Sequence, residues 1–209
     1  MEYNIMANVK LHKCFPTVIS EFSYHPDIVL QEQMVDYIKK TRKNHMYHTD
    51  DTLHNLYGLM YDVPHFIDLR DIILDANKDH LKKLDYKYDH LEITGMWANC
   101  LSAGDSHPPH THSNNFLSGV YYLFAGKNTS PIQFFDPRPQ ANVLQPRNSP
   151  NIMNSSMVQF DSVRGTGYIF PSWLQHWVPP TSEERISISW NIILRGEYGA
   201  PGTLQNAYI

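Results

Sequence analysis

Three histidines and an arginine are the residues of this chain whose types and spacing suggest chemistry. His110 and His112 close the run His107-Pro-Pro-His-Thr-His112. If His110-Thr-His112 is extended, side chains alternate and both imidazoles leave one face a few ångströms apart, where a single metal can take both. Alone the pair is weak evidence: with twelve histidines in 209 residues, about one His-x-His is expected by chance, and a surface pair beside a loop is the plainer reading. His176 adds weight because Trp173, Leu174, Trp177 and Val178 press it from both sides, so it should be buried, and a buried imidazole needs a partner. A backbone carbonyl would satisfy it, as would a metal. Nine residues later Arg185 opens Arg-Ile-Ser-Ile-Ser-Trp-Asn191. Ile186, Ile188, Trp190 and Ile192 share one face of that strand, and Arg185, Ser187, Ser189 and Asn191 share the other. A solvent-facing polar side is the simple explanation. A hairpin over 179–184, however, would bring Arg185 next to His176, where a guanidinium fork can hold a carboxylate with help from the Ser187 hydroxyl.

These residues need a scaffold, and the second half of the chain reads as one. From His90 onward the pattern turns to period two, with β-branched and aromatic residues punctuated by Pro, Gly, Asn and Ser, the grammar of an antiparallel sandwich or barrel. Strands are expected near 91–100, 110–112, 119–124, 132–136, 157–160, 168–170, 176–178 and 186–194. The first half is mixed. An apolar opening around 9–11 and 15–19 leads to a helix over 26–43, with Ile28, Val29, Met34, Val35 and Ile38 at helical spacing and Asp27 in its first turn. A second helix over 66–84 carries Leu69, Ile72, Ile73, Ala76, Leu81 and Leu84 along one side. Both helices have the amphipathicity of elements laid against a sheet. The stretch 137–156, rich in Pro, Asn, Ser and Gln, reads as a long functional loop such as a lid.

The whole chain sets bounds. Its 209 residues suit a single domain over 1–209, divided into a helical and mixed support (1–89), a β core (90–195) and a C-terminal tail (196–209). A formal net charge of -4 argues against a protein working through a dominant basic field, and Lys39, Arg42 and Lys43 read as a solvated helix face. Two cysteines, Cys14 and Cys100, are too few for a disulfide framework. No apolar run is long enough to span a bilayer, and the expectation is a soluble cytoplasmic protein, in the host cytoplasm if viral, with a homodimer admitted but not specified.

His110-x-His112, Leu117-Ser-Gly-Val-Tyr-Tyr-Leu123, Phe170-Pro-Ser-Trp-Leu-Gln-His176 and Arg185-Ile-Ser-Ile-Ser-Trp-Asn191 together resemble the core of the Fe(II)/2-oxoglutarate oxygenase superfamily. More narrowly they are similar to an oxygenase family of phages and bacteria, in which Trp97-Ala-Asn99 also has a counterpart. The resemblance covers about 90–195. It implies a mainly β fold with flanking helices: a double-stranded β-helix (jelly roll) with the N-terminal helices packed on one sheet. It implies a dioxygenase that hydroxylates its substrate while 2-oxoglutarate becomes succinate and CO2. By position it implies His110 and His176 as iron ligands, and Arg185 with Ser187 as the grip on 2-oxoglutarate. Asn99 is placed in the same pocket. Tyr121 and Tyr122 fall on opposite faces of one strand, and Tyr121 is taken as the one facing the co-substrate. Trp173 and Trp177 are read as packing residues and His107 as a loop histidine.

One position departs from the superfamily: His112 stands where a carboxylate is usual. Three readings are open there. Three imidazoles form the metal triad, as imidazole chemistry permits; a carboxylate from Asp136 or Asp105 supplies the third ligand; or the site has drifted from catalysis. At the level of function, a three-histidine cupin-type dioxygenase without 2-oxoglutarate and a non-catalytic β-helix binding module are the alternatives. The primary substrate, whether protein side chain, nucleobase or small metabolite, is beyond what a fold implies.

Overall fold

A computed structural model of the chain describes residues 9–44, 55–56, 63–138, 144, 146 and 149–209. In chain order the elements are β1 (Ser20–Ser23), α1 (Ile28–Asn44), β2 (Asn55–Leu56), α2 (Ile67–Lys83), β3 (His90–Leu101), β4 (His107–His110), β5 (Leu117–Ala125) and β6 (Ile132–Phe135). They continue with β7 (Met157–Phe160), β8 (Thr166–Pro171), β9 (His176–Val178), β10 (Arg185–Arg195), β11 (Glu197–Tyr198) and β12 (Ala207–Tyr208). A larger sheet runs β1-β8-β5-β10-β3-β2 and a smaller one β4-β9-β6-β7. All pairs are antiparallel. This is the double-stranded β-helix expected of the chain, with α1 and α2 covering the outer face of the larger sheet.

The helices dock through fewer residues than their periodicity predicts. Met34 and Ile38 of α1, and Leu69, Ile73 and Leu81 of α2, are fully buried and join the alternating residues of β3 and β10 in one apolar cluster. Ile28 and Val29, by contrast, are exposed at the start of α1, and Ile72 and Leu84 sit on the exposed rim of α2. Asp27 precedes α1 instead of entering its first turn. Its Oδ1 accepts the Leu30 N–H at 2.9 Å, which is N-capping. The opening apolar residues Val9, Leu11 and Phe15 are exposed and outside regular structure, and β1 is the first strand instead. Of the basic patch on α1, the Arg42 and Lys43 side chains lie outside the described residues, as does most of the central part of the 137–156 loop.

β3 contains the irregularity that matters most for the site. Asn191 of β10 pairs with Gly95 but Ile192 pairs with Ile93, so Thr94 is an extra residue, a β-bulge. Alternation therefore changes phase. Leu91 and Ile93 point to the helices before the bulge, and Met96, Ala98 and Cys100 do so after it. Trp97 and Asn99 are thereby turned to the inner face. On β10 the inner face carries Arg185, Ser187 and Ser189, at 2%, 3% and 9% exposure. The polar side of this strand thus faces the interior between the sheets rather than solvent. The expected hairpin after His176 is also absent: β9 belongs to the smaller sheet and β10 to the larger, so residues 179–184 cross from one sheet to the other.

Candidate metal centre and co-substrate pocket

The smaller sheet and the segment after it bring the three histidines together. His110 ends β4 and is paired in register with His176 of β9. His112 is not on that strand, as simple alternation required. It lies two residues past the end of β4, held by its backbone N–H, which donates to Ser172 O at 2.9 Å. One ligand atom from each of His110, His112 and His176 falls within 4.8 Å of the others. Among the described residues these form the sole group of three or more His, Cys, Asp or Glu side chains so placed.

The protonation chemistry suits ligation. His110 Nδ1–H donates to Pro108 O at 2.8 Å and His176 Nδ1–H to Leu174 O at 2.9 Å. A carbonyl only accepts, so both rings carry their proton on Nδ1 and leave the Nε2 lone pair available, the arrangement found behind metal-bound imidazoles. His112 Nε2 and His176 Nε2 are 3.4 Å apart, the separation of two ligands about 2.1 Å from a common metal. Burial, and then the charge of His110, lowers the pKa of His112 to about 4 and that of His176 to about 3. Burial also lowers His110, against the pull of the Pro108 carbonyl. The three rings are therefore neutral at pH 7, as ligands must be. Neither proposed carboxylate joins them. Asp136 is gripped by Arg138 through Nε and Nη2 at 2.9 and 2.8 Å, and Asp105 Oδ2 accepts the Ser102 N–H in a turn.

Across the interior, the larger sheet presents a second constellation. In register, Ser187 lies between Asn99 of β3 and Tyr122 of β5, and the Arg185 guanidinium lies over the Tyr122 ring at 4.9 Å. Arg185 Nε and Nη1, the Tyr122 hydroxyl and Asn99 Oδ1 are buried without a hydrogen-bond partner of sound geometry. Asn99 spends one amide N–H on Ser189 Oγ at 2.8 Å. Several buried polar atoms left open in one place are costly unless a ligand completes them, and the donors here match a carboxylate. Burial raises the Tyr122 hydroxyl pKa, with the Arg185 charge acting against it, so Tyr122 also remains a donor. The tyrosine expectation needs correcting: Tyr121, not Tyr122, faces the helices. Its hydroxyl donates to Tyr24 O at 2.9 Å and its ring stacks on Phe22, so it does not reach the interior around Arg185. The strand is buried on both faces, leaving no polarity contrast by which sequence could choose between the two.

The two constellations share one interior. Phe134 and Phe170 line the space between the sheets with Tyr122, and each has its ring within 5.7 Å of His176. The Trp97 ring lies 5.9 Å from that of His112. Beside the imidazoles opens a cleft of about 630 Å³, whose walls include Thr94, Gly95, Trp97, Asn115, Asn191 and Arg195. His107, expected in a loop, is at the start of β4 and its ring is 4.5 Å from that of His110. Trp173 is 57% exposed and is not a packing residue, because it sits on the turn between Ser172 and Leu174 that faces outward. Trp177 is partly buried and donates to Gln133 Oε1 at 2.7 Å.

Residues 95–191 match the family model described as "Putative 2OG-Fe(II) oxygenase", a span that holds all three histidines, Arg185, Ser187 and Asn191. Over this span, a little under half of its length, the chain is similar to the 2OG-Fe(II) oxygenases. It is thus an oxidoreductase that works with Fe(II) and 2-oxoglutarate. The oxygenase is similar in structure to a Pseudomonas putida prolyl-4-hydroxylase at 12% identity and a TM-score of 0.62, over 86% of this chain and 94% of that one. It is also similar to a viral collagen prolyl hydroxylase from Paramecium Bursaria Chlorella virus-1 in complex with 2OG: 12% identity, TM-score 0.54, 83% of this chain and 94% of that one. A prolyl hydroxylase from Trichoplax adhaerens in complex with a hypoxia inducible factor peptide gives 9% identity and TM-score 0.54, over 84% and 83%. At these identities the likeness establishes the fold. No functionally curated protein matches the oxygenase by sequence. No helix among the described residues is long and apolar enough to cross a membrane.

Proposed function

We propose that the oxygenase holds Fe(II) with three neutral imidazoles, His110, His112 and His176, and 2-oxoglutarate with Arg185, Ser187, Tyr122 and Asn99. The carrying observation is the pairing of a convergent, Nδ1-anchored histidine set with an open buried guanidinium in the same interior. The donor set fits the metal: imidazole nitrogen suits Fe(II), and the open donors of Arg185 and Tyr122 fit a carboxylate. Bound there, Fe(II) and 2-oxoglutarate would supply the electrons that reduce dioxygen, one oxygen atom going to the substrate as a hydroxyl and the other to succinate as CO2 leaves.

The chain's own contributions are positional and electrostatic. Pro108 and Leu174 carbonyls orient His110 and His176 by accepting their Nδ1 protons. Arg185, with its stem and head enclosed between the sheets, meets the carboxylate of 2-oxoglutarate that lies away from the histidines, and Ser187 and Tyr122 add hydroxyl donors. Phe134, Phe170 and Tyr122 keep bulk water from this end. With a neutral His112 in place of a carboxylate, the loaded centre is one positive charge higher than the usual triad, which favours an anionic co-substrate. The cupin-type alternative gains no support from an arginine buried without a partner, since direct substrate chelation would leave that charge uncompensated.

Anaerobic titration tests this reading. Mn(II) or Fe(II) should bind one per chain, and 2-oxoglutarate should then bind in a metal-dependent manner. His176→Ala should lose the metal, and Arg185→Gln should keep the metal while weakening 2-oxoglutarate by about 10- to 100-fold, the loss of a charge-assisted hydrogen bond. Metal binding that survives in the His176→Ala protein would overturn the ligand set. Unchanged 2-oxoglutarate affinity in Arg185→Gln would overturn the co-substrate pocket. The structurally similar proteins are prolyl hydroxylases, one of them in complex with a peptide, and a peptide side chain is the class we would screen first for succinate release.

A further inference from the structure

We infer that Asn191 is the substrate-binding residue of the cleft: it donates an amide hydrogen bond to an uncharged carbonyl-type acceptor on the primary substrate. Ser118 and Ser172 act as positioning residues behind it. The inference rests on the proposed reading of the histidine centre as the place of reaction.

Asn191 is the last inward residue of β10 before the bulge, and its side chain lines the cleft that also exposes His110 and His112. Its amide is not free to rotate. Ser118 Oγ donates to Asn191 Oδ1 at 2.7 Å, and Ser118 Oγ is itself 2.8 Å from Ser172 Oγ. Ser118 and Ser172 are 1% and 0% exposed, so neither hydroxyl has water as an alternative. With its oxygen occupied from behind, the Asn191 amide presents its two N–H donors to the cleft, where no acceptor among the described residues meets them. Ser172 also ties this relay to the metal centre, because its carbonyl accepts the His112 N–H at 2.9 Å. The donor and the ligand are thus referenced to one buried residue.

The space in front of the amide is open by construction. The residue opposite Asn191 on β3 is Gly95. A Cβ there would make ordinary contact with Trp97, at 3.6 Å, so nothing in the packing demands a glycine. A longer side chain would instead fill the cleft before Asn191. The bulged Thr94 closes the outer wall by donating to Asn115 Oδ1 at 2.5 Å, which occupies a second amide of the cleft, since Asn115 Nδ2 is also engaged by Ser113 O; a third, Asn114, lies on the same wall as Asn115 without the serine backing that fixes Asn191. Charge selects the class of acceptor. Among the described residues Arg195 is the one Lys or Arg along the cleft, and Glu92 takes its Nε at 2.9 Å, so phosphate or carboxylate groups meet no uncompensated Lys or Arg among them on this side of the site. A Trp97 ring on the cleft wall and a fixed N–H donor suit an amide or similar carbonyl compound.

The test uses the full chain loaded with diamagnetic Zn(II) and 2-oxoglutarate, followed by NMR of the Asn191 side-chain NH2, assigned by its loss in Asn191→Asp. N,N-dimethylacetamide serves as a probe that only accepts hydrogen bonds, methylammonium as one that only donates, and inorganic phosphate as the anionic control. The expected result is a saturable downfield shift of the Asn191 protons with N,N-dimethylacetamide and with neither of the others. Gly95→Leu should abolish that response, and Ser118→Ala should weaken it severalfold while 2-oxoglutarate, followed through its own resonances, stays bound. No saturable shift, a shift with methylammonium or phosphate instead, or an undiminished response in Gly95→Leu would each overturn the inference. Failure of 2-oxoglutarate to bind in the same sample would count separately, against the pocket built on Arg185.

Discussion

Arg185 is buried to 2% exposure with Nε and Nη1 unpartnered, so in the ligand-free protein it is a liability. Removing a buried charge and filling its space with an apolar chain is often neutral or stabilising. Arg185→Met should therefore raise the melting temperature of the ligand-free protein, or leave it unchanged, while abolishing the increment that 2-oxoglutarate adds; calorimetry with and without the co-substrate reads both. His112 gives a second expectation. His112→Asp should still bind Fe(II), because it recreates a two-histidine, one-carboxylate site, but 2-oxoglutarate affinity should fall by about tenfold as one positive charge is cancelled beside it. Titration follows from the same histidines. Their native pKa values, about 4 for His112 and about 3 for His176, lie below the value near 6.5 of the unfolded chain. The unfolded state thus takes up protons first. The stabilisation is complete above about pH 6.5 and is lost as pH falls toward 3, by up to about 1.4 kcal/mol per pH unit for each histidine. Urea denaturation of the metal-free protein between pH 7.5 and 4.5 should show this slope, and His176→Leu should make it shallower.

Among the elements, β10 carries the most. It pairs with β3 along its whole length and with β5 over most of it, puts Ile186, Ile188, Trp190 and Ile192 under the helices, and turns its polar residues toward the interior between the sheets, where we propose that 2-oxoglutarate binds. Its seat depends on Gly119 of β5, which is paired in register with Trp190. A Cβ at 119 would stand 2.1 Å from Trp190 Cζ2, a clash with a fully buried indole. Gly119→Ala should cost about 1–3 kcal/mol, the usual range for overpacking, and lower the melting temperature by several degrees. The bulge at Thr94 has the opposite character: it costs pairing but reverses the phase of β3, so that Trp97 and Asn99 face the site. In β4 the geometry that unites His110 with His112 is likewise not regular strand, since His112 is placed by a backbone bond to Ser172.

At the scale of the molecule, two layers of apolar packing divide the work. The cluster between the helices and the larger sheet holds no proposed ligand residue, and the smaller cluster between the sheets surrounds the site. Ligands that bind the native state alone should therefore stabilise the whole fold by mass action. At a hundredfold excess over its dissociation constant, each of metal and 2-oxoglutarate should add about 2.7 kcal/mol, or roughly 5–10 °C in melting temperature for a domain of this size. His176→Ala should remove both increments, and Arg185→Met only the second.

The sequence by itself determined the β half and the two helices, and it singled out His110, His176 and Arg185 as candidates for one site. Alternation, helical periodicity and motif spacing are local properties that survive without coordinates. Strands β7 and β9 match their expected limits, and the clean two-faced pattern of β10 was visible in Arg185-Ile-Ser-Ile-Ser-Trp-Asn191. What local pattern lacks is a reference for inside and outside. In a two-sheet fold both faces of a central strand are buried, so the polar face of β10, taken alone, read as solvent-facing, and Tyr121 could not be told from Tyr122. A bulge shifts phase by one residue without altering composition, which hid the inward turn of Trp97 and left Asn99 to be placed in the pocket by the resemblance alone. The crossing of 179–184 between sheets and the backbone bond that brings His112 to His176 join residues far apart in the chain. The tertiary structure alone decided them, because each depends on which sheet a strand enters and no short stretch of sequence carries that information.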